Sequence, residues 1–129
     1  MYIFTFKIII YYQILFISVP YIVPPNYKHD ILDYSTVYLS WNAISIGHVP
    51  GILRGYQITY REYFNNQTFV VKTAPDLLQR TLTNLIPFTH YWFEIAGYTD
   101  EGLGPEKLIV LKTPPGRKFT LIVGFLGYF

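Results

Sequence analysis

Apolar and polar residues alternate in short runs through the middle of the chain. Val37, Leu39 and Trp41 alternate with Tyr38, Ser40 and Asn42. Tyr56, Ile58 and Tyr60 alternate with Gln57, Thr59 and Arg61, and Tyr91, Phe93 and Ile95 with Trp92, Glu94 and Ala96. A period of two sends successive side chains to opposite faces of a strand, so each run predicts a strand with one buried face. Weaker runs over residues 27–31, 68–73, 78–83 and 106–113 complete the set; in the last, Leu108, Val110 and Lys112 share one face. Turn residues separate the runs: residues 32–35, then Gly47, Pro50 and Gly51, then Asn65-Asn66, Ala74-Pro75-Asp76 and Gly102-Leu103-Gly104-Pro105. Seven short strands at near-regular spacing predict an all-β protein, an antiparallel sandwich of two sheets.

The stretch from Leu82 to Pro105 is the most informative. Leu82 and Leu85 lead into a Pro87-Phe88-Thr89 corner, and Tyr91 opens the strongest strand. Tyr91 stands where a tyrosine corner is expected, its ring inward and its hydroxyl bonded to backbone near Leu85. An unpaired buried hydroxyl costs about 1–3 kcal/mol, so such a partner is required. Leu82, Leu85, Pro87, Thr89, Tyr91, Phe93, Ile95, Gly102 and Gly104 resemble, position by position, the corresponding region of a fibronectin type III domain. Gly97 stands where that family has alanine, which predicts a slight packing gap. Trp41 resembles the family's core tryptophan, and residues 55–61 resemble its third strand.

The resemblance spans residues 23–115, from Val23-Pro24-Pro25 to Thr113-Pro114-Pro115. It implies a seven-stranded antiparallel immunoglobulin-like sandwich of the fibronectin type III type, with strands A (27–31), B (37–42) and E (78–83) facing G (106–113), F (91–98), C (54–63) and C′ (68–73). It implies a structural core of Trp41, Tyr56, Ile58, Tyr60, Leu82, Leu85, Pro87, Tyr91, Phe93 and Ile95. Burying one tryptophan removes about 200 Å² from water, so Trp41 is expected to be among the least replaceable residues. The family further implies a non-catalytic role in protein–protein contact or spacing within a longer extracellular or cell-surface protein. Modules of adhesion molecules and receptor tyrosine phosphatases are the nearest in wording. An intracellular, cytoplasmic scaffold module and the accessory domain of an enzyme are the alternatives.

Composition narrows this picture. Hydrophobic residues make up 51% and charged residues 14%, which excludes a disordered chain. The net charge is +2, yet residues 23–115 hold seven Lys/Arg against eight Asp/Glu, so nothing there attracts phosphate or nucleic acid. Absence of cysteine removes disulfides, thiolate chemistry and Cys-based zinc sites together.

The two ends are of different material. Residues 1–22 are dominated by Ile, Tyr and Phe, with Lys7 ahead of an apolar run over residues 8–17. A signal peptide, an uncleaved membrane anchor and a translated non-coding flank all fit it, and each sets it outside the domain. Membrane contact is expected only through this segment. Residues 116–129 place Arg117-Lys118 ahead of an apolar run, the reverse of a type I membrane span.

Candidate chemistry is sparse. His29, His48 and His90 lack the spacing of a metal site, no nucleophile elbow is present, and Gly102-Leu103-Gly104 lacks the strand-to-helix context of a phosphate loop. No catalytic residue, cofactor or metal is expected, and no Arg-Gly-Asp triplet occurs. Asn66-Gln67-Thr68 is a glycosylation sequon on an expected turn. Trp92 and Tyr98 alternate away from the core, and Arg61 does so on the neighbouring strand. The three form either a stiffening cross-strand set or a protein-binding surface. The apolar loop over residues 43–53 either packs over the sandwich end or meets an adjacent domain.

Overall fold

A computed structural model describes residues 18–116. The apolar run over residues 8–17 and the tail over residues 117–129 lie outside the described residues.

Among the described residues eight strands form in chain order: β1 Lys28–Asp33, β2 Thr36–Ser40, β3 Gly55–Glu62, β4 Phe69–Thr73, β5 Gln79–Leu82, β6 His90–Thr99, the short β7 Gly102–Leu103 and β8 Lys107–Lys112. They make two antiparallel sheets, one of order β1-β2-β5, the other β4-β3-β6 with β8 and β7 also paired to β6. This is the two-sheet antiparallel sandwich the alternation predicts, of the immunoglobulin-like type the resemblance implies. β7 is an addition, two residues that pair with Tyr98 and Thr99 across the F–G turn.

The core lies between the sheets. Val37, Leu39 and Leu82 enter from the three-stranded side, and Tyr56, Ile58, Tyr91, Phe93, Ile95, Ile109 and Leu111 from the other. Trp41 joins them from just beyond the end of β2, its ring centroid 5.4 Å from that of Tyr56. Every residue of β1 is exposed, so that strand contributes ladder hydrogen bonds and little packing.

Two residues expected in the core are placed elsewhere. Pro87 is exposed. The chain reverses there, and its ring faces solvent while its carbonyl accepts a hydrogen bond from the Thr89 hydroxyl at 2.9 Å. Pro87 thus shapes the corner through its fixed φ rather than by burial. Tyr60 is only partly buried, stacked on Phe69 at 5.2 Å and on Phe93 at 5.6 Å. It borders a cleft of about 280 Å³, lined also by Phe69, Leu85 and Tyr91, where the shorter sheet leaves it uncovered.

A third difference concerns the start of the module. The packed body reaches back to Ser18, ahead of Val23. Pro20 is among the fully buried side chains, the Tyr21 N–H donates to the His48 carbonyl at 2.9 Å, and the Thr99 hydroxyl donates to the Ser18 carbonyl at 2.6 Å.

The gap expected at Gly97 is filled. A Cβ there would lie 2.6 Å from Ile44 Cδ1, 3.2 Å from Leu53 Cδ1 and 3.4 Å from Pro20 Cγ. The loop after β2 has moved a large side chain into the space that glycine vacates. Gly55 is required for another reason: a Cβ there would lie 1.9 Å from the Thr73 carbonyl oxygen, and φ is +154°.

Candidate protein-interaction face

Strand register decides which side chains share the outer face of the larger sheet. Arg61 pairs with Trp92, and Trp92 with Val110. The next row runs Val70, Thr59, Glu94 and Leu108. Lys72, Gln57 and Ala96 follow, with Gly55 opposite Tyr98 beyond them. β6 is central because it pairs with β3 on one side and β8 on the other, so Trp92 has neighbours on both flanks.

The Arg61 guanidinium sits over the Trp92 ring, 4.3 Å from its centroid, and Tyr63 meets Trp92 edge-on at 5.3 Å. The Lys72 ammonium lies 4.8 Å from the centroid of Tyr98. A cation over an aromatic face is worth about 0.5–1 kcal/mol when exposed and more as water is excluded. Trp92 is half-buried, and its Nε1 is buried with no hydrogen-bond partner. Val70, Leu108 and Val110 are about half exposed, at 54%, 50% and 52%. The face is therefore aromatic at its centre, basic over the rings and aliphatic at its flanks.

Arg61, Trp92 and Tyr98 are brought onto one sheet face, Arg61 in contact with Trp92 and Tyr98 toward the opposite end. Lys72, Tyr63, Leu108 and Val110 belong to it as well, and sequence reasoning did not assign them to it. For β8 the signal was ambiguous, since Lys107–Lys112 is apolar on both faces. Only the structure shows Ile109 and Leu111 pointing inward. Lys72 needed the β3–β4 register, which no local motif carries.

At the F–G end, Arg54 and Asp100 form an exposed forked pair, Nε to Oδ1 at 3.1 Å and Nη2 to Oδ2 at 2.8 Å. The guanidinium hydrogen bond holds the Asp100 carboxyl below its ordinary value. Burial and the nearby Glu94 push Glu106 the other way, up from the ordinary glutamate value. At the two sandwich ends burial pushes the Tyr56 and Tyr91 phenols up, offset in part by the backbone N–H each accepts.

His29, on β1, stacks on Tyr27, while His48 lies beside Ser45 in the loop after β2, and His90 opens β6. Among the described residues no group of three or more His, Cys, Asp or Glu side chains is placed to hold a metal ion. No helix among them is long and apolar enough to cross a membrane. Asn66 is exposed in the loop between β3 and β4.

A two-sheet sandwich with a cation–aromatic outer face defines a β-sandwich module. The fibronectin type III domain model matches residues 23–112, and the chain belongs to that family. Among curated relatives, it is 29% identical over 107 residues to the chicken cell adhesion molecule DSCAM, covering 73% of this chain and 5% of that protein. It is 26% identical over 108 residues to human neural cell adhesion molecule L1, covering 75% and 8%. Among solved structures, the FN5 domain of Drosophila Lar superposes with a TM-score of 0.60 at 31% identity, covering 76% of this chain and all of that one. The chain thus spans less than a tenth of the length of these two curated relatives.

Proposed function

We propose that the chain is a non-catalytic module that makes protein–protein contacts and spaces its neighbours within a longer extracellular or membrane-attached adhesion or receptor protein. The observation that carries this reading is the outer face of the larger sheet. Trp, Tyr and Arg are the residues on which binding energy concentrates, and here Arg61, Trp92 and Tyr63 stand together, with Tyr98 under Lys72 toward the other end of the same face and half-exposed aliphatic side chains at its flanks. The adhesion molecules and receptors among its relatives support the same setting. The partner is a protein with a complementary acidic and apolar patch, because Arg61 and Lys72 present cations over the rings.

The test is made on the full-length parent protein, carrying a tag, in cells. A membrane-impermeant label should reach it, and replacing Arg61 by glutamate should reduce cell adhesion or ligand capture at equal surface density. Confinement to the cytosol would overturn the extracellular setting. Undiminished binding would overturn the face.

A further inference from the structure

The loop joining β3 to β4 holds a large apolar side chain that no core contact explains. Phe64 is 93% exposed, touched edge-on by Tyr63 with ring centroids 4.7 Å apart. All residues from Tyr63 to Val70 are exposed. The chain reverses there, with the Asn65 N–H donating to the Glu62 carbonyl at 3.2 Å and the Gln67 N–H to Asn65 Oδ1 at 2.9 Å. Just past this reversal comes Asn66-Gln67-Thr68, the chain's one Asn-x-Ser/Thr triplet, two residues after Phe64. The acceptor amide thus lies in an open loop outside any ladder, where a transferring enzyme can reach it.

We infer that Asn66 carries an N-linked glycan whose first sugar lies against the Phe64 ring. One face of N-acetylglucosamine is a surface of C–H groups, and dispersion favours packing it on an aromatic face otherwise left in water. A ring two residues before the acceptor, across a turn, is in reach of that sugar. The sugar covers the apolar surface that an exposed phenylalanine would otherwise offer to non-specific association. Thr68 lines a small cavity together with Arg61 and Trp92. The glycan therefore borders the interaction face on its β4 side, and a partner approaches from the β8 side. This inference rests on the extracellular reading, but its test does not.

The 129-residue chain is expressed in eukaryotic cells behind a heterologous secretion leader, and both lysate and medium are assayed. The wild type should run as a heavier species that collapses on treatment with peptide N-glycosidase. Asn66→Gln and Thr68→Ala should both lose the shift. A wild type with no shift in either fraction overturns the site, whereas a glycosylated product whose parent protein stays in the cytosol overturns only the extracellular reading. The role of the ring is read separately. An endoglycosidase that leaves the first sugar should preserve the thermal midpoint, and complete removal should lower it. Phe64→Ser, which keeps the sequon, should lose that difference. An unchanged difference in Phe64→Ser overturns the sugar–ring contact.

Discussion

The two ends of the sandwich are closed by the same chemical device with different surroundings. At the E–F end the Ile86 N–H donates to the Tyr91 hydroxyl at 2.9 Å. At the opposite end the Ile44 N–H donates to the Tyr56 hydroxyl, also at 2.9 Å. In each case a phenol rooted in the larger sheet holds the backbone of a loop that leaves the smaller one. The first bond is only partly buried, and Ile86 is 49% exposed. The second is buried, and Ile44, Leu53 and Pro20 close around Gly97, the residue paired with Tyr56. A loop can therefore be fastened by one hydrogen bond at the rim or be absorbed into the core, and the second arrangement makes the end depend on residues far away in sequence.

The largest effect is expected from Trp41→Ala, which removes the indole packed on Tyr56 at the absorbed end. A loss of about 3–5 kcal/mol is expected for such a truncation, read as a large fall in the urea midpoint. Removing the two hydroxyls separately comes next. Tyr56→Phe leaves a buried N–H unpaired and should cost about 1–3 kcal/mol, while Tyr91→Phe leaves one that water can reach and should cost about 0.5–1.5 kcal/mol. Equal costs would mean that the two ends are closed alike, and a larger one for Tyr91 that the rim bond is the stronger fastening.

Those two ends also differed in how far the sequence announced them. The E–F corner lies within a few residues of Tyr91, so the spacing of Leu82, Leu85, Pro87, Thr89 and Tyr91 carried it. Only the burial of Pro87 was misjudged, because a proline needed for its backbone angle reads like one needed for its ring. The other end joins Ile44 to Tyr56, and Ser18 to Thr99 across the whole sandwich. Gly97 looked like a defect because its complement, Ile44, stands on another element. The proposed interaction face was half legible for a similar reason. Alternation placed Arg61 and Trp92 outward, but Lys72 and Val110 joined them only through pairing of distant strands.

A smaller effect tests the fit at the absorbed end. Gly97→Ala brings a Cβ to 2.6 Å from Ile44 Cδ1, a movable chain end, and should cost about 1 kcal/mol. In an Ile44→Val background that atom is gone, and the same alanine should stabilise by restricting the unfolded chain. A cost that persists there would show that the clash is with Leu53 or Pro20. The smallest effect belongs to Glu106, whose folded-state pKa is raised by burial and Glu94. Its ionised form is penalised on folding, so its contribution is fully favourable below the ordinary glutamate value and is lost as pH rises through the raised one. Glu106→Gln should raise the thermal midpoint slightly at neutral pH, with the gain fading toward about pH 4.

The central claim is that the outer face of the larger sheet, rather than any catalytic pocket, is where this module acts. Arg61→Glu tests it most directly, because Arg61 stands over Trp92 without belonging to the interior cluster. Thermal unfolding of the purified chain and adhesion by the full-length parent are measured on the same substitution. The account predicts a midpoint lowered by only a few degrees together with loss of adhesion. Adhesion that survives the charge reversal at equal surface density would contradict it.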